Sequence, residues 1–496
     1  MLDQWYHFKK VWKDKRFSVT IRELCDFSGI NVDDLSPQVK KILGKKVSQV
    51  SAVQPTFVSN SICAQMYDDT DDDMRWAVKM GAMAVVTTSQ IDDLPCIVHP
   101  NPPMIYAQMC RYYRQLRDIP VTAVTGSIGK TTVKLMINSV YKEHFNCFCN
   151  TINYNALYHA GYYVQHIPQD AQIMIQEVSE DTPNYVAPIS ICLCPHIAVI
   201  TKIDKSHYEA FGTDDKICEE VCSIVKGMSE NDYVVVNKDD FTSYDMLEGK
   251  KVVSISSTSN EADFFARDIR QNDKGLSFTV VEKETGHTWP VQLKNIYANH
   301  NVGCALQAFA AGVLSHVPYE KIVRGLESYR TLGMRQNIFE VPGGILVYAD
   351  CFNAVPLSIK TAVEATCDIP VKGKRVAVLG DIEECGELTQ SVHREIIDIV
   401  SNSSLDVLLA YGKKLNKALD DYPNPFKIKT IRCSSHEDII TNLKSLLSEG
   451  DIVLFKASHS AELRGCIKKL WPETYSKVNN DERDPYNKWI KMVRKN

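Results

Sequence analysis

The stretch "VTAVTGSIGKTT", residues 121–132, decides the fold. A strand-like run leads into a Gly-Ser-Ile-Gly turn, and Lys-Thr-Thr then opens a helical pattern. A glycine-rich turn at a helix N-terminus offers backbone N–H groups and the positive end of the helix dipole to a phosphate. Val124 stands where the usual form of this loop has its first glycine, so the stretch predicts a short phosphate-binding loop.

Two side chains of this loop carry the expected chemistry. Lys130 can reach the β- and γ-phosphates of a nucleotide, and the Thr131 hydroxyl can take a magnesium ligand position. The alternative is a strand–turn–helix joint with an incidental lysine. The predicted nucleotide-binding residues of the loop are Gly126, Ser127, Gly129, Lys130, Thr131 and Thr132.

The amino-acid composition and net charge of the chain exclude some classes of function. The 496 residues suggest about three domains, with 44% hydrophobic and 24% charged residues, as in ordinary globular proteins. The net charge of −5 argues against a nucleic-acid or anionic-membrane partner, and no apolar run reaches the roughly 18 residues of a membrane span. The N-terminus lacks a signal-peptide core, so the sixteen cysteines indicate reduced thiols in the cytoplasm. We expect a cytoplasmic protein, by default a monomer, with small-molecule substrates.

The order of the segments predicts an α/β fold with three domains. Apolar strands alternate with amphipathic helices from residue 121, which favours a mostly parallel sheet covered on both faces. A strand-rich stretch follows at about 251–292, and a second alternating set begins after about 335. We predict an N-terminal substrate-binding α/β domain (1–118), a central ATP-binding domain of P-loop ATPase-like architecture (119–330), and a smaller Rossmann-like C-terminal domain (331–496).

Five segments, taken together with the loop, resemble motifs of the Mur ligase family across nearly the whole chain. They are "TINYNALY" (151–158), "QEVSE" (176–180), "AVITKIDKSHYEAFGT" (198–213), "NHNVGCALQAFAA" (299–311) and "LGMR" (332–335). Three more resemble the branch that adds D-alanyl-D-alanine to a muramoyl tripeptide: "DCFNAVP" (350–356), "VAVLGDIEECGELTQSVH" (376–393) and "VLFKASHSAEL" (453–463). The combination is specific, whereas a single piece is not.

The resemblance implies an ATP-dependent amide ligase of peptidoglycan precursor synthesis. Such an enzyme uses ATP and Mg²⁺ to convert a carboxylate into an acyl phosphate, which an amine then attacks. The implied substrates are a UDP-linked muramoyl peptide and D-alanyl-D-alanine. A ligase with a different acceptor in specialised biosynthesis and a non-catalytic nucleotide-binding homologue are the alternatives.

The resemblance also implies roles for individual residues. Lys130, Glu177 and His207 would be catalytic, and Thr131, Glu177 and His207 would hold metal. Arg335, Asp350 and Asn353 would bind the nucleotide, and Asn153 and Asn155 would face the substrate. Each has a structural alternative: a salt-bridged strand end for Glu177, an ordinary loop histidine for His207, a linker arginine for Arg335, and turn or loop capping for the Asp and Asn residues.

Two departures from the family pattern bear on activity. Many members carry a carbamylated lysine ten residues after the Phe of the F-G-S turn, and that position here is Val221. Lys216 and Lys226 lie five positions to either side, about 140° off that helix face, and Glu220 supplies a carboxylate there only if the helix is rotated. The N-terminal region also lacks the D-S-R-x-V segment that shapes the uridine-nucleotide site, so recognition of a UDP-sugar is in question.

Overall fold

The computed structural model describes residues 18–53, 58–150, 154–204, 207–272, 274–331, 333–422 and 426–478. These residues form four β-sheets of two, four, nine and six strands. Each sheet draws its strands from only one of the three predicted segments. The two large sheets are mostly parallel and alternate with helices, which confirms the α/β class; the exact domain boundaries stay a prediction.

The N-terminal part contains a small parallel sheet with helices around it. Its elements are β1 (Val19–Thr20), α1 (Ile21–Phe27), α2 (Pro37–Lys40), β2 (Lys46–Val47), β3 (Gln49–Ala52), β4 (Ser61–Ala64), α3 (Asp71–Lys79), β5 (Ala84–Thr87), β6 (Cys96–Val98) and α4 (Pro102–Gln115). Strands β3 to β6 pair in sequence order and in parallel, while β1 and β2 form a separate antiparallel pair. Tyr106 and Tyr113 of α4 are fully buried in the core that joins this part to the central sheet.

The central part is built on the nine-stranded sheet. Its elements are β7 (Val121–Thr125), α5 (Lys130–Lys142), β8 (Cys147–Cys149), α6 (Leu157–Gln165), β9 (Ile173–Glu177), α7 (Val186–Leu193), β10 (Ile197–Ile200), α8 (Tyr208–Phe211), α9 (Asp214–Cys222), β11 (Tyr233–Asn237), β12 (Lys251–Ser256), β13 (Phe264–Asn272), β14 (Gly275–Glu282), β15 (Thr288–Lys294), α10 (His300–Leu314) and α11 (Tyr319–Ser328).

The strand order of this sheet places β7 in its interior. The order is β15-β14-β13-β12-β11-β10-β7-β9-β8, parallel from β8 to β13 and antiparallel at the β13–β14–β15 edge. All five residues of β7 are buried, as expected for a parallel strand covered on both faces. Its carboxyl end therefore meets those of β9 and β10, where ligands of open α/β sheets bind.

The C-terminal part is a six-stranded sheet in the order β16-β17-β21-β18-β19-β20, in which only the β16–β17 pair is antiparallel. Its elements are β16 (Asn337–Val341), β17 (Ile345–Asp350), α12 (Pro356–Asp368), β18 (Arg375–Gly380), α13 (Thr389–Ser401), β19 (Val407–Tyr411), α14 (Lys413–Asp420), β20 (Lys429–Cys433), α15 (His436–Leu446), β21 (Ile452–Lys456), α16 (Arg464–Leu470) and α17 (Pro472–Val478). Throughout the described ranges, helices are too short or too polar to cross a bilayer.

Candidate active site

The loop between β7 and α5 has the backbone of a phosphate-binding turn. Gly126 and Gly129 have φ values of 125° and 90°, a region that L side chains rarely adopt. A Cβ atom at Gly126 would also overlap the Thr201 side chain at the end of β10. These two glycines let the loop turn back over the carboxyl end of the sheet and deliver Lys130 to the first position of α5.

Part of the loop backbone is already committed to the neighbouring strand end. The amides of Ser127 and Ile128 donate to the Lys202 carbonyl, over 2.9 and 3.0 Å. The first-turn amides of a helix, in contrast, have no acceptor within their own helix. The amides at the start of α5, supported by the helix dipole, are therefore the donors for an anion, rather than the whole glycine turn that the sequence predicts.

The Lys130 ammonium lies between a carbonyl and a carboxylate. Its Nζ is 2.5 Å from the Gly126 carbonyl and 2.6 Å from Oε2 of Glu180. The Glu180 side chain is only 1% exposed, and its Oε1 is buried without a hydrogen-bond partner. Glu180 lies inside the quoted "QEVSE" segment, but the sequence gives no signal that it pairs with a lysine fifty positions earlier.

Glu177, the last residue of β9, joins several groups of the site. Its Oε2 accepts from the Thr131 hydroxyl at 2.9 Å and lies 3.1 Å from the fully buried Lys134 ammonium, while Oε1 accepts from Asn155 at 3.0 Å. Burial acts to raise the Glu177 pKa, but the charges of Lys134, Arg335 and Lys130 outweigh burial and lower the pKa. Glu177 is therefore a buried carboxylate held in its charged form beside the loop.

Arg335 connects the C-terminal part to the phosphate-binding loop. Its Nη1 donates to the Thr131 hydroxyl at 3.0 Å, and its guanidinium lies 3.5 Å from the centre of the Phe352 ring. The next residue, Gln336, donates its amide N–H to Asp350 at 3.3 Å, and its side chain lies 3.1 Å from Nε2 of His300. The linker is thus held by groups from both the central and the C-terminal parts.

Asp350 and Asn353 lie at the carboxyl end of β17, on the C-terminal side of the site. The Asp350 carboxylate is 2.6 Å from the Lys456 ammonium at the end of the adjacent strand β21. The same ammonium donates to the Asn353 carbonyl at 2.9 Å. Lys456 was not among the predicted site residues, although a lysine that ends the apolar run "DIVLFK" is a signal for a buried, paired cation.

One cavity of about 230 Å³ lies between the two large sheets and brings most of the predicted residues together. The predicted residues on its wall are Ser127, Gly129, Lys130, Thr131, Thr132, Asn155, Glu177, His207, Arg335, Asp350 and Asn353. Gly126 shapes the turn without lining the cavity, and Asn153 lies outside the described residues. The wall also includes Asp181, Phe352 and Lys456, which were not among the predicted site residues.

His207 faces the cavity from the short loop before α8 and contacts the C-terminal part. Its Nδ1 lies 2.7 Å from the Glu384 carboxylate, and its backbone has a φ of 51°. Burial acts to lower the His207 pKa, but the hydrogen bond to Glu384 and the nearby charge of Glu180 raise it overall. A histidine whose Nδ1 is held by a carboxylate presents its other nitrogen in a fixed direction, as metal-binding histidines do.

The chemistry of these groups fits a nucleotide with a divalent cation. The Ser127 hydroxyl is buried without a partner at the cavity wall, as a group that awaits a ligand would be. Thr131 and Glu177 offer the oxygen ligands that Mg²⁺ prefers. No three acidic, histidine or cysteine side chains converge on one point within the described ranges, so phosphate oxygens would have to complete the coordination.

The position expected for the carbamylated lysine is part of the hydrophobic core. The Val221 side chain is fully buried, and α9 ends at Cys222, so Lys226 lies beyond this helix. Glu220 faces elsewhere: its carboxylate accepts three backbone N–H groups, from Asn184, Tyr185 and Val186, each at 2.7 Å. Glu220 therefore caps the start of α7 instead of replacing the lysine.

Comparison with known proteins agrees with this architecture. Residues 124–312 match the model of the Mur ligase middle domain, and residues 334–459 match the Mur ligase, glutamate ligase domain. The chain is similar to the UDP-N-acetylmuramoyl-tripeptide--D-alanyl-D-alanine ligase of Bacillus subtilis, with 28% identity over 384 residues that cover 75% of this chain and 82% of the relative.

Solved structures show the same fold over nearly the whole length. The structure of MurF from Acinetobacter baumannii superimposes with a TM-score of 0.76 at 21% identity and covers 91% of this chain and 98% of its own. MurF ligase from Thermotoga maritima, solved in complex with ADP, gives a TM-score of 0.72 at 20% identity and covers 89% of this chain and 100% of its own. With both domain models matched and the three-part architecture shared, the chain belongs to the Mur ligase family.

Proposed function

We propose that this chain is an ATP-dependent amide ligase that joins a muramoyl tripeptide to D-alanyl-D-alanine through an acyl phosphate. The observation that carries the proposal is the shared cavity, in which Lys130 and Thr131 of the loop face Arg335 and Asp350 of the C-terminal part. A phosphoryl group held there would lie between Lys130 of the central part and Arg335 of the linker to the C-terminal part. The similarity to the Bacillus subtilis ligase supports the choice of substrates.

The residues around the loop would act by neutralising and positioning charge. ATP supplies the phosphoryl group, and Mg²⁺ bound near Thr131 and Glu177 would neutralise its oxygens. Lys130 would move from Glu180 to the β- and γ-phosphates, and Arg335 would contact the same phosphates from the C-terminal side. Asp350 and Asn353 would bind the ribose and adenine, while Asn155 keeps Glu177 in place and faces the acceptor.

The proposed ligase activity also fits the expected substrates, compartment and oligomeric state. The substrates are small molecules, and the enzyme would work as a cytoplasmic monomer. His207 would orient a metal ion through the ring nitrogen that Glu384 leaves open, so its protonated form would be inactive. The C-terminal part contributes both Glu384, beside His207, and Arg335, beside Thr131.

A different acceptor substrate is the second candidate, and the surface between the N-terminal and central parts favours it. The rings of Tyr67 and Tyr185 lie 4.8 Å apart there, and the Tyr67 hydroxyl donates to the Asn184 carbonyl at 3.0 Å. Burial is the main cause of the raised pKa of Tyr185, and the carboxylates Asp181 and Asp68 raise it further. A carboxylate-rich, tyrosine-lined surface is a poor match for a diphosphate.

The test is ADP formation with ATP, Mg²⁺, UDP-muramoyl-tripeptide and D-alanyl-D-alanine, with Lys130→Ala as the blank. Substrate-dependent ADP together with an amide product of the right mass supports the proposal. A parallel reaction with the muramoyl tripeptide that lacks UDP separates the two candidates, because only the second candidate reacts equally well without UDP. ADP formation at the Lys130→Ala level with both muramoyl tripeptides, with and without UDP, would overturn the ligase assignment for these substrates.

A further inference from the structure

We propose that Glu180 is a ligand of a divalent cation that enters with the nucleotide, in the place where a carbamylated lysine serves other family members. The inference rests on the proposed function, because it assumes that Lys130 binds the phosphates of ATP. Four observations of the site support it: the burial of Glu180, its unpaired oxygen, the place of His207 on the cavity that the neighbours of Glu180 line, and the use of Val221 and Glu220 elsewhere.

The charge of Glu180 is balanced by Lys130. The Glu180 side chain is 1% exposed, and its carboxylate is paired with the Lys130 ammonium at 2.6 Å. When Lys130 moves to the phosphates, Glu180 becomes a buried charge without its partner. A buried carboxylate in that state is strongly unfavourable unless another cation replaces the ammonium. A divalent cation bound to the same phosphates is such a replacement.

The second carboxylate oxygen of Glu180 is available for a ligand. Oε1 of Glu180 is buried and has no hydrogen-bond partner, although most buried polar atoms in proteins have one. Its neighbours Ser179 and Asp181 line the cavity, so the carboxylate lies directly behind the cavity wall. An unpaired carboxylate oxygen at this position is ready to accept a metal ion, a hard cation that prefers oxygen ligands.

His207 would be the second protein ligand of the cation. His207 lines the same cavity as Ser179 and Asp181, the two chain neighbours of Glu180. Nδ1 of His207 faces Glu384 at 2.7 Å, so Nε2 is the nitrogen that remains for a metal. Glu180 and His207 together provide one carboxylate and one imidazole, which phosphate oxygens and water would complete.

The two residues of α9 nearest the expected lysine position, Val221 and Glu220, do not supply a metal ligand. Val221 is fully buried among apolar residues, and Glu220 uses both oxygens to accept backbone amides of Asn184, Tyr185 and Val186. Neither residue can reach the cavity while α7 and α9 keep this arrangement. Glu180 is therefore the buried carboxylate that the fold leaves available beside Lys130.

The test is cation binding in the presence of a non-hydrolysable ATP analogue, with Mn²⁺ followed by electron paramagnetic resonance. We expect Glu180→Gln to weaken one Mn²⁺ per bound nucleotide by at least tenfold, while the affinity for the analogue itself changes less than threefold. The matched control is Glu219→Gln, which removes an exposed carboxylate of α9 outside the cavity wall and should leave Mn²⁺ binding as in the wild type. Equal Mn²⁺ number and affinity in Glu180→Gln, with the analogue still bound, would overturn the inference alone.

A second measurement uses the wild-type protein and so does not depend on the folding of a variant. We expect Mn²⁺ binding to be unchanged after removal of carbon dioxide, and no lysine carbamate signal after incubation with ¹³C-bicarbonate in the NMR spectrum. A carbamate signal that appears together with Mn²⁺ binding would overturn the inference. A wild-type protein that binds no ATP analogue would overturn both this inference and the proposed function.

Discussion

The guanidinium of Arg335 donates to the hydroxyl of Thr131 at 3.0 Å, across 204 positions of sequence and between the linker to the C-terminal part and helix α5 of the central part. Because Arg335 also lies against Phe352, a lysine at this position would lose both the stacking and the planar geometry. We expect Arg335→Lys to lower kcat/KM of the ligase reaction about 100-fold, as for the loss of one charge-stabilising donor.

The matched control for this prediction is Arg330→Lys, since Arg330 is exposed and its side chain donates to backbone carbonyls at the end of α11. Steady-state kinetics of both variants give the comparison. An unchanged kcat/KM in Arg335→Lys would exclude a part for this arginine in the reaction.

The buried pair of Lys134 and Glu177 makes a prediction about stability. Both side chains are almost fully buried, so Lys134→Met leaves the Glu177 charge without its ammonium partner at 3.1 Å. We expect a loss of about 3–5 kcal/mol in the free energy of unfolding, measured in urea. Adding Glu177→Gln should restore at least half of the loss, whereas the exposed Lys142→Met should change stability by less than about 0.5 kcal/mol. No restoration in the double variant would argue against the unpaired charge as the cause.

The glycine turn gives a prediction with an internal comparison. Gly126 and Gly249 both have positive φ, 125° and 78°, but a Cβ at Gly126 overlaps Thr201 while nothing lies within 4 Å of one at Gly249. We expect Gly249→Ala to cost about 1 kcal/mol from backbone strain alone. Gly126→Ala should cost more and weaken nucleotide binding at least tenfold, as measured by calorimetry. Equal effects of the two changes would show that the close approach to Thr201 is unimportant.

Glu220 separates a structural role from a role in the active site. Its carboxylate accepts three amides at the start of α7, so Glu220→Gln loses the charge in these bonds. We expect a loss of about 1–2 kcal/mol in stability and no change in nucleotide or Mn²⁺ affinity. The neighbouring exposed Glu219→Gln should leave both properties unchanged. Weaker Mn²⁺ binding in Glu220→Gln would instead make Glu220 a metal ligand.

The lowered pKa of Asp451 leads to a prediction about the stability of the C-terminal sheet at low pH. Burial acts to raise its pKa, but the backbone amides of Lys374 and Ser448 and the Lys374 ammonium outweigh burial and lower the pKa. A carboxyl group whose folded pKa is below its unfolded value stabilises the protein above the unfolded pKa of about 3.9 and loses this contribution as the pH falls toward the folded pKa.

Wild-type stability should therefore fall below about pH 4 more steeply than that of Asp451→Asn, which we expect to be about 1–3 kcal/mol less stable at pH 7. Thermal unfolding at a series of pH values measures both. The exposed Asp421→Asn should follow the wild-type curve, and parallel curves for wild type and Asp451→Asn would contradict the assignment.

Local signals explain why the loop and its helix were predictable. The strand, the turn and the first helical residues of 121–132 are adjacent, and each has its own residue preference, so their order alone gave β7 and α5. The alternating segments after residue 335 likewise gave the C-terminal sheet, although its order, with β21 between β17 and β18, is a long-range property.

The partners of the loop were not predictable because they come from distant positions. Glu180 is fifty residues from Lys130, Lys456 is 106 residues from Asp350, and no local pattern links either pair. The backbone N–H groups of the glycine-rich turn were predicted to face the phosphate, but those of Ser127 and Ile128 donate to the Lys202 carbonyl beside the loop. Such contacts follow from how strand ends meet, which the sequence does not display.

Gln336 has a consequence for how the two halves respond to ligands. It holds His300 of the central part and Asp350 of the C-terminal part, directly beside the Arg335 contact to the loop. A ligand that binds this arrangement of the two parts more tightly than another stabilises it, and by thermodynamic reciprocity an acceptor and a nucleotide that both favour it would tighten each other's binding by the same factor. Substrate order in this enzyme would then reflect energetic coupling through the linker residues Arg335 and Gln336 rather than blocked access to separate pockets.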